Sequence, residues 1–486
     1  MKKNPKIKNS ITTIIAAICL CICILAHGAK STTKTPQNIT VSSLEELMPH
    51  LKHNNVTVAM TPGTYRVTAE DMRNGRFPSE SEVEEGRLKK VLLLFEGNNS
   101  YYDLTGVVLE IEAEVFTKLD NKYREFINIQ TLGNNNVIKG IKLVDIANMT
   151  DGPNRGYVNV ILDGASNRLE EVEINSIGSF PYGYGELFGK GGKNVINHRK
   201  HSACLVRGYK NHVLNCKIIH NSFGHCLFMQ AADEPLIEGC YIQSFMTTTD
   251  SILAEKGGDA ERVGYLSYFG YQIPSGYTIA VSEEGIRAYN GGETMIDGVR
   301  YKRGASNVTI KDCYVKNVRA GVTLTHATGR KYVENTTVIG CERGFCVGTG
   351  QIVNCQADCQ YGPALGVDYG HDRGTIADIT ILPNADQARS GNGSKHAAII
   401  IGNNHKITLR RGAGLCLTDQ ELTINIGGDN RTIGLLSKDQ NYPASDIEIV
   451  NETGYPIVID DNASRIVGKT TGAVVDNGDN NKIEQM

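Results

Sequence analysis

One short motif recurs along this chain and constrains its fold more than any other feature. Each copy reads aliphatic, any residue, a turn residue, a small core residue, any residue, aliphatic, as in Val213-Leu214-Asn215-Cys216-Lys217-Ile218. The other copies begin at Ile138, Leu169, Ile237, Ile310, Val333 and Ile352. Short strands that repeat about every 20–25 residues, with turns between them, are typical of a parallel β-helix. Because one rung cannot bury its own apolar face, the core must form by stacking of rungs.

A second set of strands accompanies this motif. It comprises Cys204-Leu205-Val206, Cys226-Leu227-Phe228, Val322-Thr323-Leu324 and Cys346-Val347. A leucine-rich repeat would share the period, but its Leu-x-x-Leu-x-Leu-x-x-Asn signature is missing. The pattern therefore predicts an all-β chain that forms one right-handed parallel β-helix over residues 30–486.

The start of this region differs from the repeats. Ser42-Ser43-Leu44-Glu45-Glu46-Leu47 places a capping serine and two acids ahead of apolar residues at helical spacing. We expect a short helix over residues 42–53 that caps the open end of the stack.

A leader precedes that helix. Four lysines in the first eight residues are followed by an apolar run from Ile11 to Ala26 and then by Ala26-His27-Gly28-Ala29. This order is typical of a signal peptide, here residues 1–29, with an uncleaved anchor as the alternative. No later stretch is apolar enough to span a membrane. The sequence thus predicts a secreted or periplasmic protein with no membrane segment in its mature form.

Export makes the cysteines informative. Three of the 13 lie in the leader, and the other ten invite a disulfide framework. However, Cys216, Cys240, Cys313 and Cys355 share the small core position of the motif, where a free thiol behaves as a small hydrophobic side chain. We therefore predict free thiols stacked in the core, with disulfides between neighbouring rungs as the alternative.

Charge is distributed unevenly along the chain. The formal net charge is −3, yet no Asp or Glu occurs from Leu187 to Ala232, where average composition predicts about five. This acid-free window contains five of the twelve His residues and seven Lys and Arg residues: His198, His201, His212, His220, His225, Lys190, Lys193, Arg199, Lys200, Arg207, Lys210 and Lys217. A basic run is often only a solvated face, but two stacked rungs would bring these side chains together. Since no nucleic-acid-binding motif is present, an acidic polysaccharide fits the window best as partner.

Two tyrosine-rich segments lie beside the window. Phe180-Pro181-Tyr182-Gly183-Tyr184-Gly185 alternates phenols with glycines, and residues 256–280 form an insertion with five aromatic residues. These are Tyr265, Tyr268, Phe269, Tyr271 and Tyr277. Because the chain has no Trp, the insertion is a candidate wall of a sugar-binding groove, with a packing loop as the alternative.

Acids near the window are few. They are Asp250, Glu255, Glu283 and Glu284. Two functional interpretations are the paired carboxylates of a glycosidase and a Ca²⁺ site. The simpler alternative is that these acids form salt bridges to Arg287 or Arg319. A further basic patch on later rungs extends the candidate groove: Arg300, Lys302, Arg303, Arg319, His326, Arg330 and Lys331.

Seven stretches in the middle of the chain resemble the right-handed β-helix polysaccharide lyases. They read FPYGYGELFGKGG (180–192), KHSACLVRG (200–208), NSFGHCLFMQ (221–230), DSILAE (250–255), EEGIRAYN (283–290), GVTLTHATGRKYVE (321–334) and CERGFCVG (341–348). The chain is similar in particular to the alginate lyases of polysaccharide lyase family 31. The signatures of polygalacturonases and pectate lyases, which share the fold, are absent.

This resemblance implies a secreted bacterial enzyme that cleaves poly-α-L-guluronate by β-elimination, with a catalytic Lys and Tyr. The matching positions are Lys200 and Tyr184, with Tyr182 and Lys190 as alternatives. We predict that Arg207, His201 and His225 hold the substrate carboxylate. The predicted substrate-binding residues are Tyr182, Lys190, Arg199, His220, Arg287, Tyr289, Arg319 and Arg330.

The residue types suit this chemistry. Removing the C5 proton of a uronate spreads negative charge onto its carboxylate, which cationic groups must stabilise, while a base and an acid move the protons. Positive charges adjacent to Lys200 in sequence would favour its neutral amine. No cofactor is required by these parts, although Ca²⁺ remains an option. A mannuronan C5-epimerase and a non-catalytic polysaccharide-binding β-helix are the rival functions.

Overall fold

The strands of the chain stack in parallel into three faces of a β-helix. This computed structural model describes residues 37–116, 119–147, 156–181, 185–190, 193–385, 391–417, 422–428, 435 and 442–486. Asn38–Met486 form one compact unit. Within the described ranges no helix is long and apolar enough to cross a membrane. The predicted parallel β-helix is confirmed, and the predicted signal peptide lies outside the described residues.

The first two faces, A and B, are joined by the recurring motif. Face A consists of Val56–Met60, Tyr101–Asp103, Val137–Lys139, Arg168–Glu170, His212–Leu214, Leu236–Glu238, Ser306–Lys311 and Thr328–Glu334. Face B consists of Gly63–Val67, Val107–Glu112, Lys142–Ile146, Glu173–Ile177, Lys217–Asn221, Tyr241–Gln243, Tyr314–Lys316 and Thr337–Ile339. The faces then merge into Gln351–Ala357, Ile376–Ile381, Lys406–Arg411, Ala444–Asn451, Ala463–Thr470 and Lys482–Gln485. Gln37–Val41 pairs with Val56–Met60, and Gly402–Asn403 with Ala444–Asn451.

Face C carries the candidate site on its outer side. Its strands are Lys89–Phe95, Glu125–Thr131, Gly156–Leu162, His201–Tyr209, Leu227–Asp233, Glu284–Ala288, Ala320–Thr323, Arg343–Cys346, Leu365–Val367, His396–Ile400, Thr423–Ile426, Ile457–Ile459 and Val474–Asp476.

The motif bends the chain between faces A and B because its turn residue adopts a left-handed conformation. The φ angle is +54° at Asn215, +66° at Gly239 and +49° at Asn335. Asn, Asp and Gly tolerate this conformation better than other residues do. The following small residue then points into the core, as Cys216 and Cys240 do.

The ten cysteines from Cys204 to Cys416 form no disulfide, as predicted, and all except Cys416 are buried. Asparagines satisfy buried backbone groups at another corner, where the Oδ1 atoms of Asn167 and Asn211 accept from the backbone N–H of Asn136 and Asn167 at 2.9 and 2.8 Å.

Helices are short and lie at the cap, in connections and in insertions. The predicted cap forms as an α-helix over Leu44–Leu47 followed by a 3-10 helix over Met48–Lys52, and the Ser43 side chain accepts from the backbone N–H of Glu46. The remaining helices are Ala69–Arg73, Ala113–Phe116, Gly185–Phe188, Thr249–Leu253 and Asp259–Arg262.

Antiparallel pairs are formed by Glu80–Ser81 with Lys89–Phe95, Gly189–Lys190 with Lys193–Asn194, Met246–Thr248 with Thr278–Ala280, and Glu293–Ile296 with Val299–Lys302.

Candidate functional site

In the middle of face C a buried apolar cluster gives way to charged and aromatic side chains between two adjacent rungs. On the earlier rungs Val158, Ile161, Leu205 and Phe228 form a buried apolar cluster with residues of the first strands. Phe228 pairs with Arg287 on the next rung. On this rung the charged Arg287 and the aromatic Tyr289 lie at the surface, and they belong to the candidate site.

Glu284 is the centre of this cluster. Its Oε1 atom accepts hydrogen bonds from the guanidinium groups of Arg287 and Arg319, and its Oε2 atom lies 2.9 Å from His225 Nδ1. Burial opposes ionisation of this carboxyl, but Arg287 and Arg319 outweigh it and hold the Glu284 pKa well below its usual value. A buried carboxylate therefore fixes two guanidinium groups and one imidazole.

His225 connects Glu284 to a phenol and to a second carboxylate. Its Nε2 atom lies 2.6 Å from the Tyr289 hydroxyl and 3.3 Å from Glu283 Oε2. Burial, together with Glu283 and Glu284, raises the Tyr289 pKa far above its usual value. Tyr289 is therefore a neutral phenol in the resting protein, hydrogen-bonded to an imidazole.

Lys200 completes the cluster from a different rung. Its Nζ atom donates to Glu283 Oε1 at 2.6 Å and lies 5.0 Å from the centre of the Phe223 ring. The Lys200 side chain is 47% exposed, whereas that of Glu283 is 3% exposed. The ammonium therefore lies at the solvent boundary above a buried carboxylate.

Positive charge prevails where the cluster meets solvent. Lys200, Arg287 and Arg319 outnumber Glu283 and Glu284, and the side chains of Arg287 and Arg319 remain 17% and 15% exposed. The two carboxylates lie beneath them. This arrangement presents cations to a ligand while counter-charges hold them in place, which favours an anion.

The insertion that follows Gln243 ends shortly before Glu283 and folds around a core of its own. Its antiparallel strands Met246–Thr248 and Thr278–Ala280 frame a small separate core that includes Ile252, Ile273 and Ile279. The backbone N–H of Ala280 donates to buried Glu342 at 2.8 Å. Burial raises the pKa of Glu342 to about 7.

The aromatic residues of this insertion were predicted either to form a groove wall or to pack within the loop. Tyr265 and Phe269 pack against its small core, so packing prevails over a groove wall at these two positions. Asp250 accepts from the backbone N–H of Gly276 and serves the insertion itself. Glu284 makes the predicted salt bridges to Arg287 and Arg319.

The structure brings five of the predicted site residues together in one cluster: Lys200, His225, Arg287, Tyr289 and Arg319. Glu283 was noted from the sequence only as a nearby acid, and its contacts with Lys200 and His225 are new. The tandem acids in EEGIRAYN, four and three residues before Arg287, are the only sequence signal for that role.

Arg207 does not reach this site, which corrects the prediction that it holds a substrate carboxylate. It is completely buried, and its guanidinium contacts Asp163 at 2.9 Å and Glu84 at 2.7 Å. Both contacts fix the guanidinium under the segment before Lys89–Phe95. Arg207 therefore stabilises the fold.

His201 and His220 are also buried, contrary to the surface roles predicted for them. His201 stacks on Tyr157 at 3.9 Å and its Nε2 lies 3.0 Å from Asn159 Oδ1. Burial lowers the pKa of His220 to about 4, and it lowers that of His201 well below the usual value. Both imidazoles are thus neutral internal hydrogen-bonding groups.

Arg199 and Arg330 lie elsewhere as well. Arg199 is buried with its guanidinium 4.6 Å from the centre of the Phe180 ring. Arg330 is exposed on face A, where it donates to Thr309 Oγ1 and stacks over Tyr332. Neither contributes to the cluster around Glu284.

The environment expected for Lys200 is also wrong. His198, Arg199 and His201 are buried, and the described group that contacts the Lys200 ammonium at hydrogen-bond distance is the Glu283 carboxylate. Tyr182 and Tyr184 lie outside the described residues, as does the side chain of Lys190, so their roles stay predictions.

The acids of the cluster were also considered as metal ligands. His225, Glu283 and Glu284 offer ligand atoms within 4.8 Å of one another. However, the two carboxylates face opposite nitrogens of one imidazole, and they already bind two guanidinium groups and an ammonium. Since Ca²⁺ prefers six to eight oxygen ligands, this donor set does not fit Ca²⁺.

No known protein family and no curated protein matches the chain. Solved structures similar in fold include a PL6 alginate lyase in complex with a trisaccharide, at 13% identity and a TM-score of 0.43, covering 91% of this chain and 87% of that one. Another is a mannuronic acid specific family 6 lyase from human gut microbiota, at 9% identity and a TM-score of 0.39, covering 93% and 83%. A third is the A-module of an Azotobacter vinelandii mannuronan C-5 epimerase, at 9% and 0.31, covering 88% and 90%. At these values the similarity is limited to the fold.

Proposed function

We propose that the protein is a secreted lyase that cleaves an acidic polyuronate by β-elimination. The observation that carries this proposal is the cluster on face C, where Lys200, Arg287 and Arg319 surround two buried carboxylates beside a phenol–imidazole pair. A uronate carboxylate is the anion, and its ring supplies the acidic C5 proton. The sequence resemblance supports alginate, as poly-α-L-guluronate, among polyuronates.

Arg287 and Arg319 would stabilise the charge that forms in the reaction. Loss of the C5 proton spreads negative charge onto the substrate carboxylate, and preorganised cations are effective because they need no reorganisation at that moment. Glu284 supplies this preorganisation by holding both guanidinium groups.

Tyr289 and His225 would accept the C5 proton. The phenol oxygen takes the proton while the phenol proton passes to His225 Nε2, which lies 2.6 Å away. This coupled transfer avoids a free phenolate, which the raised Tyr289 pKa disfavours. The electron pair of the broken C5–H bond forms the C4–C5 double bond.

Lys200 would protonate the leaving oxygen. The C4–O glycosidic bond breaks as an N–H proton of the exposed ammonium passes to that oxygen, so the products are an unsaturated end and a new hydroxyl. An epimerase would need no acid for a leaving group, because it returns a proton to C5 from the opposite face. The two reactions therefore differ in where the donated proton ends, at the leaving oxygen or at C5, and product analysis separates them.

The test is the appearance of unsaturated ends, read by ultraviolet absorbance, on a panel of polyguluronate, polymannuronate, pectate and chondroitin. Changed uronate composition without cleavage would indicate an epimerase, and retention of polymer without either change a binding protein. Both results would overturn the proposal.

The residues are tested with Tyr289→Phe and Lys200→Arg. Each should lower kcat by about 10²–10⁴-fold, because phenylalanine has no proton to relay and a guanidinium does not release one at working pH. Polymer binding should persist. The matched controls are Tyr314→Phe and Lys316→Arg on face B, which should keep full activity. If Tyr289→Phe is fully active, Tyr289 does not accept the C5 proton, and Tyr184 becomes the candidate for that role.

A further inference from the structure

A row of rings continues from the candidate site along the later rungs of face C. His326 meets Tyr369 edge to face with ring centres 5.6 Å apart, and Tyr369 meets His371 at 5.4 Å. His371 is exposed, while His326 and Tyr369 are partly buried. We call His326, Tyr369 and His371 the ring row.

Strand register places the ring row next to Arg287. Arg287 pairs with Thr323, three residues before His326, and Thr323 pairs with Cys346. The next strand, Leu365–Val367, ends two residues before Tyr369. The row therefore begins beside the cationic cluster, and its first two rings, His326 and Tyr369, follow strands that lie two rungs apart along the stacking axis.

The ring row is held in place by a salt bridge on its inner side and is accessible on its outer side. Beneath it Arg343 pairs with the buried carboxylate of Asp368 at 2.5 Å, which fixes the residue before Tyr369. Tyr442, 42% exposed, lies over Gly370. A Cβ atom at Gly370 would be 2.7 Å from a carbon of the Tyr442 ring, so the lack of a side chain at Gly370 allows this close approach next to Tyr369.

We propose that the ring row binds the sugar residues of the same acidic chain that lie beyond the cleavage point. This inference rests on the proposed function. Pyranose rings have apolar C–H faces that stack on aromatic rings, and imidazole N–H groups donate to hydroxyls and carboxylates. Rungs follow one another about every 4.8 Å, which is close to the repeat of an extended pyranose chain. The polymer thus lies along the stack, across its strands.

The experiment uses Tyr369→Trp. Because the chain contains no Trp, this residue would be the only tryptophan, and its fluorescence reports on Tyr369 alone. We expect its emission to change when polyguluronate is added and to change little with the disaccharide, which is too short to occupy the site and the row together. The matched control is Tyr314→Trp, whose ring stacks on Tyr241 on face B and whose emission should not respond.

Kinetics give a second measurement. Tyr369→Ala should raise KM for long chains by at least about fivefold and leave kcat nearly unchanged, because it removes binding away from the reacting atoms. An unresponsive Tyr369→Trp in a protein that still cleaves the polymer overturns the ring row and leaves the proposed function intact. A responsive Tyr369→Trp in a protein that cleaves no polyuronate supports the row as a binding site and overturns the lyase.

Discussion

Glu284→Gln tests the central carboxylate of the site. Its side chain is 2% exposed and accepts from two guanidinium groups. Each charge-assisted hydrogen bond contributes about 1.5–3 kcal/mol, and breaking a buried ion pair by removing one partner costs about 3–5 kcal/mol. We therefore expect the free energy of unfolding at pH 7 to fall by about 3–5 kcal/mol.

The pH dependence of this loss has a definite sign. The Glu284 pKa is well below 4.5 in the folded protein, so the stabilising contribution of the carboxylate is fully present above the unfolded value and is lost as the pH falls below it. The difference between wild type and Glu284→Gln should then narrow by about 1.4 kcal/mol for each pH unit below 4.5.

Urea denaturation at pH 7 and pH 3.5 measures both effects. The matched control is Glu173→Gln on the outer side of face B, where the carboxylate is 27% exposed and pairs with Lys142 at 3.0 Å. That change should cost less than about 1 kcal/mol. Equal losses for the two variants at pH 7, or a Glu284→Gln loss that does not depend on pH, would refute the reasoning.

Two further predictions concern burial. Burial raises the Glu342 pKa to about 7, so the contribution of this residue to stability should fall as the pH rises from 4.5 to 7. Compared with the wild type, Glu342→Gln should lose less stability over this pH range in urea titrations, and an equal loss in both proteins would contradict the prediction. Of the ten cysteines from Cys204 to Cys416, only Cys416 is exposed. It should therefore react with a thiol reagent in the native protein, whereas the others should react only after denaturation. Rapid labelling of Cys240 in the native protein would contradict its buried position in the core.

Much of the fold follows from the sequence because its cause is local. The motif alternates core and solvent positions and places Asn, Asp or Gly where the backbone must turn left-handed, as at Asn215 and Asn335. The same rule predicted the buried thiols of Cys216 and Cys240, whereas the capping serine and the helical spacing of apolar residues predicted the cap over residues 42–53. These features need only neighbouring residues and the requirement that each rung buries its apolar side.

The site was predictable only in part. Lys200, His225, Arg287, Tyr289 and Arg319 were chosen from charge and resemblance, and the structure joins them. The prediction drawn from the acid-free window was wrong for several of its residues. Because the window contains no acids, its cations were all expected to face a ligand. Arg207 instead pairs with Asp163 and Glu84, acids distant in sequence that composition within the window does not reveal.

Sequence by itself determined the stack, its turns and its core, because strand periodicity and turn preferences act over a few residues. Only the tertiary structure decided which charged side chains face solvent and which are paired inside. That choice depends on partners from other rungs and insertions, such as Glu283 for Lys200. A buried charge needs a counter-charge, and the partner is supplied by three-dimensional proximity, which sequence spacing does not encode.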